Sequence, residues 1–219
     1  MELDPSAYPA LKFFDAFAEV EKSQNRLPHW RQDQAAYFVT YRLHDSVPEM
    51  LMNTWRIERD QWCEKHPRPW SADTEADYHK QFSSVIDRHL DDGHGSCLLR
   101  EPANAGIVAG AFHHYDQRNY LLHAWVIMPN HVHVLVSPGE VDSLNRIVAG
   151  WKRFTGTRIN ARTGASGAFW QKDYFDRLIR DWDHFMNVAR YIRRNPVNAK
   201  LPVGSFVAYE APWVERVLS

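Results

Sequence analysis

The clearest pattern in the chain is a long apolar run, Ala124-Trp-Val-Ile-Met-Pro-Asn-His-Val-His-Val-Leu-Val136, broken once by Met128-Pro129-Asn130. Side chains alternate between faces along a strand, so His131 and His133 share one face and Val132 and Val134 the other. Tyr120–Met128 and His131–Ser137 read as neighbouring strands, and the few residues between them predict a tight antiparallel hairpin. Upstream, Ala35–Leu43 is a strand by its β-branched and aromatic content.

Helical spacing accounts for much of the rest. Leu11, Phe14, Phe17 and Val20 suggest a short helical or irregular N-terminal extension over 5–30. Residues 46–92 predict two helices joined by the Pro-rich Lys65–Trp70, and Ala105–His114 predicts another despite Gly106 and Gly110. Asp142 or Ser143 caps a helix that turns Leu144, Ile147, Val148 and Trp151 inward. Phe169-Trp170 and Tyr174–Ile179 contain the last expected strand. Asp181 caps the final major helix, with Phe185, Val188, Ala189 and Ile192 as its buried stripe, and Pro196 is expected to end it at Asn195. This order predicts an α+β fold, a sheet with helices packed on it, rather than a parallel doubly wound one. The domain boundaries expected are an extension over 1–34, a catalytic domain over 35–201 with a helical insertion at about 45–95, and a tail over 202–219.

Composition narrows the setting. No apolar run approaches the roughly 18–20 residues needed to cross a membrane. Cys63 and Cys97 sit in no metal-like spacing, and together with an acidic start lacking signal-peptide character they suggest a cytoplasmic protein. The net charge is −1, but it is unevenly spread. Residues 141–200 carry twelve Lys/Arg and five Asp/Glu, a balance of +7, against −8 elsewhere. A polyanion would meet that patch, not the average, although basic residues on helices commonly just solvate exposed faces.

The chemistry has open alternatives. His-x-His by itself is a weak signal, equally at home on a polar sheet face. Inside an apolar strand, however, each imidazole needs a partner to offset its desolvation, and a shared divalent cation is one. Tyr191 and Asn195, four residues apart, stack on one helix face. Either they pack and cap structurally, or the phenol is a nucleophile and the amide a third, neutral metal ligand. Tyr174 lacks a polar residue one turn away and Tyr120 reads as structural. Trp170 and Phe175 can stack on unpaired bases or pack in the core.

Four ordered blocks, 124–136, Phe169-Trp-Gln171, Tyr174–Arg180 and Tyr191-Ile-Arg-Arg-Asn-Pro-Val-Asn-Ala-Lys-Leu201, resemble the REP-associated tyrosine transposases of the single-tyrosine HUH superfamily. The resemblance implies a ferredoxin-like (RRM-like) core and a Mg²⁺ or Mn²⁺ site. It further implies cutting and rejoining of single-stranded or hairpin DNA, REP-like palindromes among them, through a covalent 5′-phosphotyrosine. By motif position His131, His133 and Asn195 are the expected ligands and Tyr191 the nucleophile. Lys152, Arg153, Arg158, Arg190, Arg193 and Arg194 are expected to contact DNA phosphates. The chain departs from the family in its long 45–95 segment and in its ending after Leu201. A non-catalytic single-strand-binding module and a metal-dependent hydrolase using an activated water are the competing readings, and monomer and homodimer both stay open.

Overall fold

A computed structural model describes residues 11–15, 21–24, 28–67 and 70–219. Five antiparallel strands form the main sheet: β3 (Tyr37–Arg42), β4 (Tyr120–Ile127), β5 (His131–Pro138), β6 (Phe175–Leu178) and β7 (Val207–Glu210), in the order β6-β3-β5-β4-β7. A separate two-stranded ribbon pairs β1 (Glu21–Gln24) with β2 (Pro28–Arg31). The helices are α1 (Glu49–Lys65), α2 (Ala72–Tyr78), α3 (Ser84–Asp91), α4 (Pro102–His114), α5 (Leu144–Thr163), α6 (Trp182–Asn198) and α7 (Pro212–Leu218). The run β3-α4-β4-β5-α5-β6 is a βαββαβ unit whose fourth strand lies beside the first. This is the ferredoxin-like arrangement expected from the resemblance, with β7 added at one edge.

The alternation of β5 organises both layers. Val132, Val134 and Val136 join Tyr37, Val39, Tyr41 and Trp125 under α4 and α5, which contribute Val108, Phe112, Ile147, Val148, Trp151 and Ile159. Some polar atoms within that layer are linked, the Trp151 indole donating to the Tyr120 hydroxyl, which donates to Phe112 O at 2.6 Å, while Tyr41 Oη and Trp125 Nε1 are buried without a hydrogen-bond partner. The opposite face packs Ala124, Val126, Met128 and Leu135 against Phe185, Val188, Ala189 and Ile192 of α6 and Trp213 and Val214 of α7.

Between β3 and α4 the chain detours through α1, α2 and α3, with a π-helical stretch at His79–Ser83 linking the last two. These helices bury Val47, Met52, Trp55, Phe82, Ile86 and Leu90 in a core of their own, and Trp55 meets Phe175 of β6 edge-on at 5.5 Å. Residues 46–92 thus hold the predicted helices.

Three expectations are corrected. Part of the extension expected to be helical or irregular is strand: Lys12 bridges Ala35, and Glu21–Gln24 pairs with Pro28–Arg31 as the β1–β2 ribbon; Phe17 and Val20 lie outside the described residues. Pro196 does not end α6, which runs to Asn198. A proline this close to the C-terminus removes one helical hydrogen bond, while Ala199 N and Leu201 N close the end on Asn195 O and Pro196 O. Finally, Tyr174–Ile179 does not hold the last strand. The stretch after residue 201 supplies β7, which pairs with β4, and α7.

Candidate active site

On β5, His131 and His133 turn toward α6 as the two-residue period requires, and both are fully buried. Their Nε2 atoms are 3.1 Å apart. Asn130 sets the first ring: its Nδ2 donates to Leu90 O and His94 O, which leaves Oδ1 to accept from His131 Nδ1 at 2.8 Å. His131 Nε2 therefore carries a lone pair. The second ring is held by Thr40 of β3, whose hydroxyl is 2.7 Å from His133 Nδ1. Burial keeps both imidazoles neutral, pushing His133 down to about 3 and His131 well below the ordinary histidine value. Two neutral Nε2 atoms at this distance need a proton or a cation between them.

From the facing helix, Asp181 caps α6 by accepting from His184 N, and two turns of apolar contacts then fix the helix on the sheet. Tyr191 and Asn195 follow one turn apart on the inner side. Asn195 is buried, with Nδ2 3.5 Å from His133 Nε2, and its Oδ1 is buried without a hydrogen-bond partner. The Tyr191 ring stands edge-on to His133 at 5.3 Å and to Phe38 at 5.8 Å. Its hydroxyl donates to Asp87 Oδ2 at 3.2 Å. Burial, then the carboxyls of Asp87 and Asp91, hold the phenol well above the usual tyrosine value, so it is protonated near neutral pH. With the Asn195 amide turned over, so that Oδ1 takes the place of Nδ2 beside His133 Nε2, the amide oxygen and the two imidazole nitrogens would make a neutral N,N,O donor set that fits a divalent cation.

Sequence reasoning therefore named four residues that the fold does bring together across the β5–α6 interface. It missed Asn130 and Thr40, which orient the histidines, and Asp87. It also missed Arg42, the cross-strand neighbour of His131, buried with its guanidinium on Leu43 O and Ser46 Oγ. A polar residue beside or cross-strand from each histidine was the available signal. Tyr174 and Tyr120 are buried on the α4–α5 side, where Tyr174 donates to Asn145. Trp170 is buried there too, its indole donating to Thr155 Oγ1.

The six basic residues do not form one surface. Lys152, Arg153 and Arg158 belong to α5, and Arg190, Arg193 and Arg194 to α6, on opposite faces of the sheet. Lys152 is half-buried, donating to Lys172 O at 2.7 Å, and burial lowers it to about 8. Arg193 is clamped to Glu210 and donates to Leu218 O, tying α6 to β7 and α7. Arg153, Arg158, Arg190 and Arg194 are exposed. A second donor cluster, His89, Asp92 and His94, has ligand atoms within 4.8 Å of one another just past α3.

The segment spanning α4 to α6 also carries a family signature. Residues 110–195 match the family described as "Transposase IS200 like". That segment includes both histidines, Tyr191 and Asn195, so the resemblance read from the sequence holds over the site itself. Comparison with curated proteins gives no match. Among solved structures, the chain is similar to a REP-associated tyrosine transposase bound to a REP hairpin, at 14% identity and a TM-score of 0.40, over 80% of this chain and 74% of that one. No helix among the described residues is long and apolar enough to cross a membrane.

Proposed function

We propose that this transposase-family chain cuts and rejoins single-stranded or hairpin DNA through a covalent 5′-phosphotyrosine on Tyr191. The observation that supports this most is the meeting of the Tyr191 phenol with the His131–His133 pair and the unpartnered Asn195 oxygen. His131, His133 and Asn195 would hold a divalent cation, Mg²⁺ or Mn²⁺, with two imidazoles favouring Mn²⁺. When bound, such an ion supplies Lewis-acid stabilisation of charge on the scissile phosphate.

The chain's own residues do the rest. Thr40 and Asn130 fix the imidazole rings, and α6 presents the phenol beside them, so little ordering is left for the reaction. Tyr191 Oη bonds to phosphorus, the bond from phosphorus to the 3′ oxygen breaks, and a 3′ hydroxyl is freed. A 3′ hydroxyl attacking the phosphotyrosine reverses the step, so no nucleotide cofactor is consumed. Exposed Arg190 and Arg194, on the same helix as Tyr191, would contact the phosphates nearest the site. Arg153 and Arg158 could reach only DNA that rounds the sheet, and Arg193 and Lys152 are spent on internal contacts. A single chain carries all four central residues, so a monomer suffices for cleavage.

The test uses the full chain, Mn²⁺ and a random-sequence pool of 3′-labelled single-stranded oligonucleotides on a denaturing gel. Wild type should yield labelled protein, and Tyr191→Phe and chelator-treated wild type none. Cut DNA with no attached protein would instead indicate hydrolysis by water, and binding without cutting a non-catalytic module.

A further inference from the structure

The helical detour between β3 and α4 reaches into the site. From α3, Asp87 accepts the hydrogen bond of Tyr191 Oη, 104 residues away in sequence. Three residues on, Leu90 O accepts from Asn130, the side chain that orients His131. One short helix thus touches both the phenol and the support of the histidine pair. We propose that Asp87 is a catalytic residue, the base that takes the Tyr191 proton as the phenol attacks phosphate. This rests on the reading of Tyr191 as the nucleophile.

The Oη–H proton passes to Asp87 Oδ2 while Oη forms its bond to phosphorus. The bond from phosphorus to the 3′ oxygen breaks, and that oxygen leaves with the electron pair and takes a proton from water. In the reverse direction a 3′ hydroxyl gives its proton to water, the P–Oη bond breaks, and Asp87 returns its proton to the phenol.

A base is needed because a tyrosine phenol, with an ordinary pKa of about 10, is almost wholly protonated near neutral pH. Its proton must leave during attack, and Asp87 already accepts its hydrogen bond. Among the described residues no other acceptor is as well placed: His133 Nε2 faces His131 and Asn195. The titratable and charged groups around Asp87 are the neutral phenol of Tyr191 on α6, Asp91 on the same helix, and Arg177 on β6, itself bonded to His79 of the π-helical stretch. Burial lifts Asp87 to about 6, against the Tyr191 hydrogen bond and Arg177, which pull the other way. A base near the working pH transfers protons more effectively than an ordinary carboxylate.

Asp87→Asn should slow adduct formation by about 10²–10⁴-fold and leave Mn²⁺ affinity and DNA binding unchanged, and Asp87→Glu should recover part of the rate. The wild-type rate should rise through about pH 6, the limb set by Asp87, and Asp87→Asn should lose that limb. The sign for stability is opposite. A carboxyl whose folded value is raised binds its proton more tightly when folded, so stability falls as pH climbs from 3.8 to about 6. At pH above that window Asp87→Asn should melt no lower than wild type. If Asp87→Asn forms adduct at the wild-type rate with the wild-type pH profile while Tyr191→Phe forms none, the base assignment is wrong and the nucleophile stands. Adduct from Tyr191→Phe would overturn the underlying reading instead. Should Asp87→Asn fail to fold, a wild-type rate flat through about pH 6 is enough to reject Asp87.

Discussion

The two faces of β5 are built from adjacent residues and serve opposite ends. Under α4 and α5, Val132, Val134 and Val136 meet an aromatic layer whose polar atoms are all neutral, the Trp151 indole donating to Tyr120 and Tyr120 to Phe112 O, with Tyr41 Oη and Trp125 Nε1 buried unpartnered. Toward α6 the same strand buries two imidazoles, with an amide oxygen left unpartnered and a carboxyl held against a phenol. Burying such groups costs stability that apolar residues would have supplied. One face stabilises the sheet, and the other gives up stability to hold reactive groups in place.

That contrast can be broken from either side. On the aromatic face, Trp151→Ala should cost about 3–5 kcal/mol in chemical denaturation, without altering Mn²⁺ affinity under conditions where the variant folds. On the site face, His133→Leu should cost about 1–3 kcal/mol, since Thr40, His131 and Asn195 each lose a polar partner while the leucine restores apolar burial, yet should abolish Mn²⁺ binding by calorimetry. Equal stability losses at the two positions would contradict the division of labour. The smallest effect belongs to the rim. The pair Arg190→Ala and Arg194→Ala should weaken single-stranded DNA binding uniformly across sequences and flatten its salt dependence by about 0.7 per lost phosphate contact, while Arg153→Ala and Arg158→Ala should change it less.

What the sequence disclosed follows from how local each signal is. The alternation through His131–His133, the Asp181 cap and the buried stripe of α6 are set by neighbours a few residues apart, and all three are found. So is the Tyr191–Asn195 face, because a one-turn spacing is readable in one dimension. Pro196 misled because its local preference for ending a helix yields to the packing that holds Asn195 beside His133. Strand β7 was missed because two exposed and two half-exposed residues at a sheet edge carry no strong alternation. The split of the basic residues between two layers was hidden because total charge says nothing of which sheet face a helix covers. Asp87 was invisible for the same kind of reason. Its role rests on a contact between α3 and α6, and the only local hint was a pair of carboxyls, Asp87 and Asp91, alternating with buried Ile86 and Leu90.

The proposed bond between the Tyr191 phenol and DNA is open to direct observation. Protein incubated with single-stranded DNA and Mn²⁺, then digested with nuclease and protease, can be mapped by mass spectrometry for a nucleotide-linked peptide. The linkage is predicted on Tyr191, lost on chelation. A linkage on Tyr174 or any other residue, or DNA ends produced with no linked peptide at all, would contradict it.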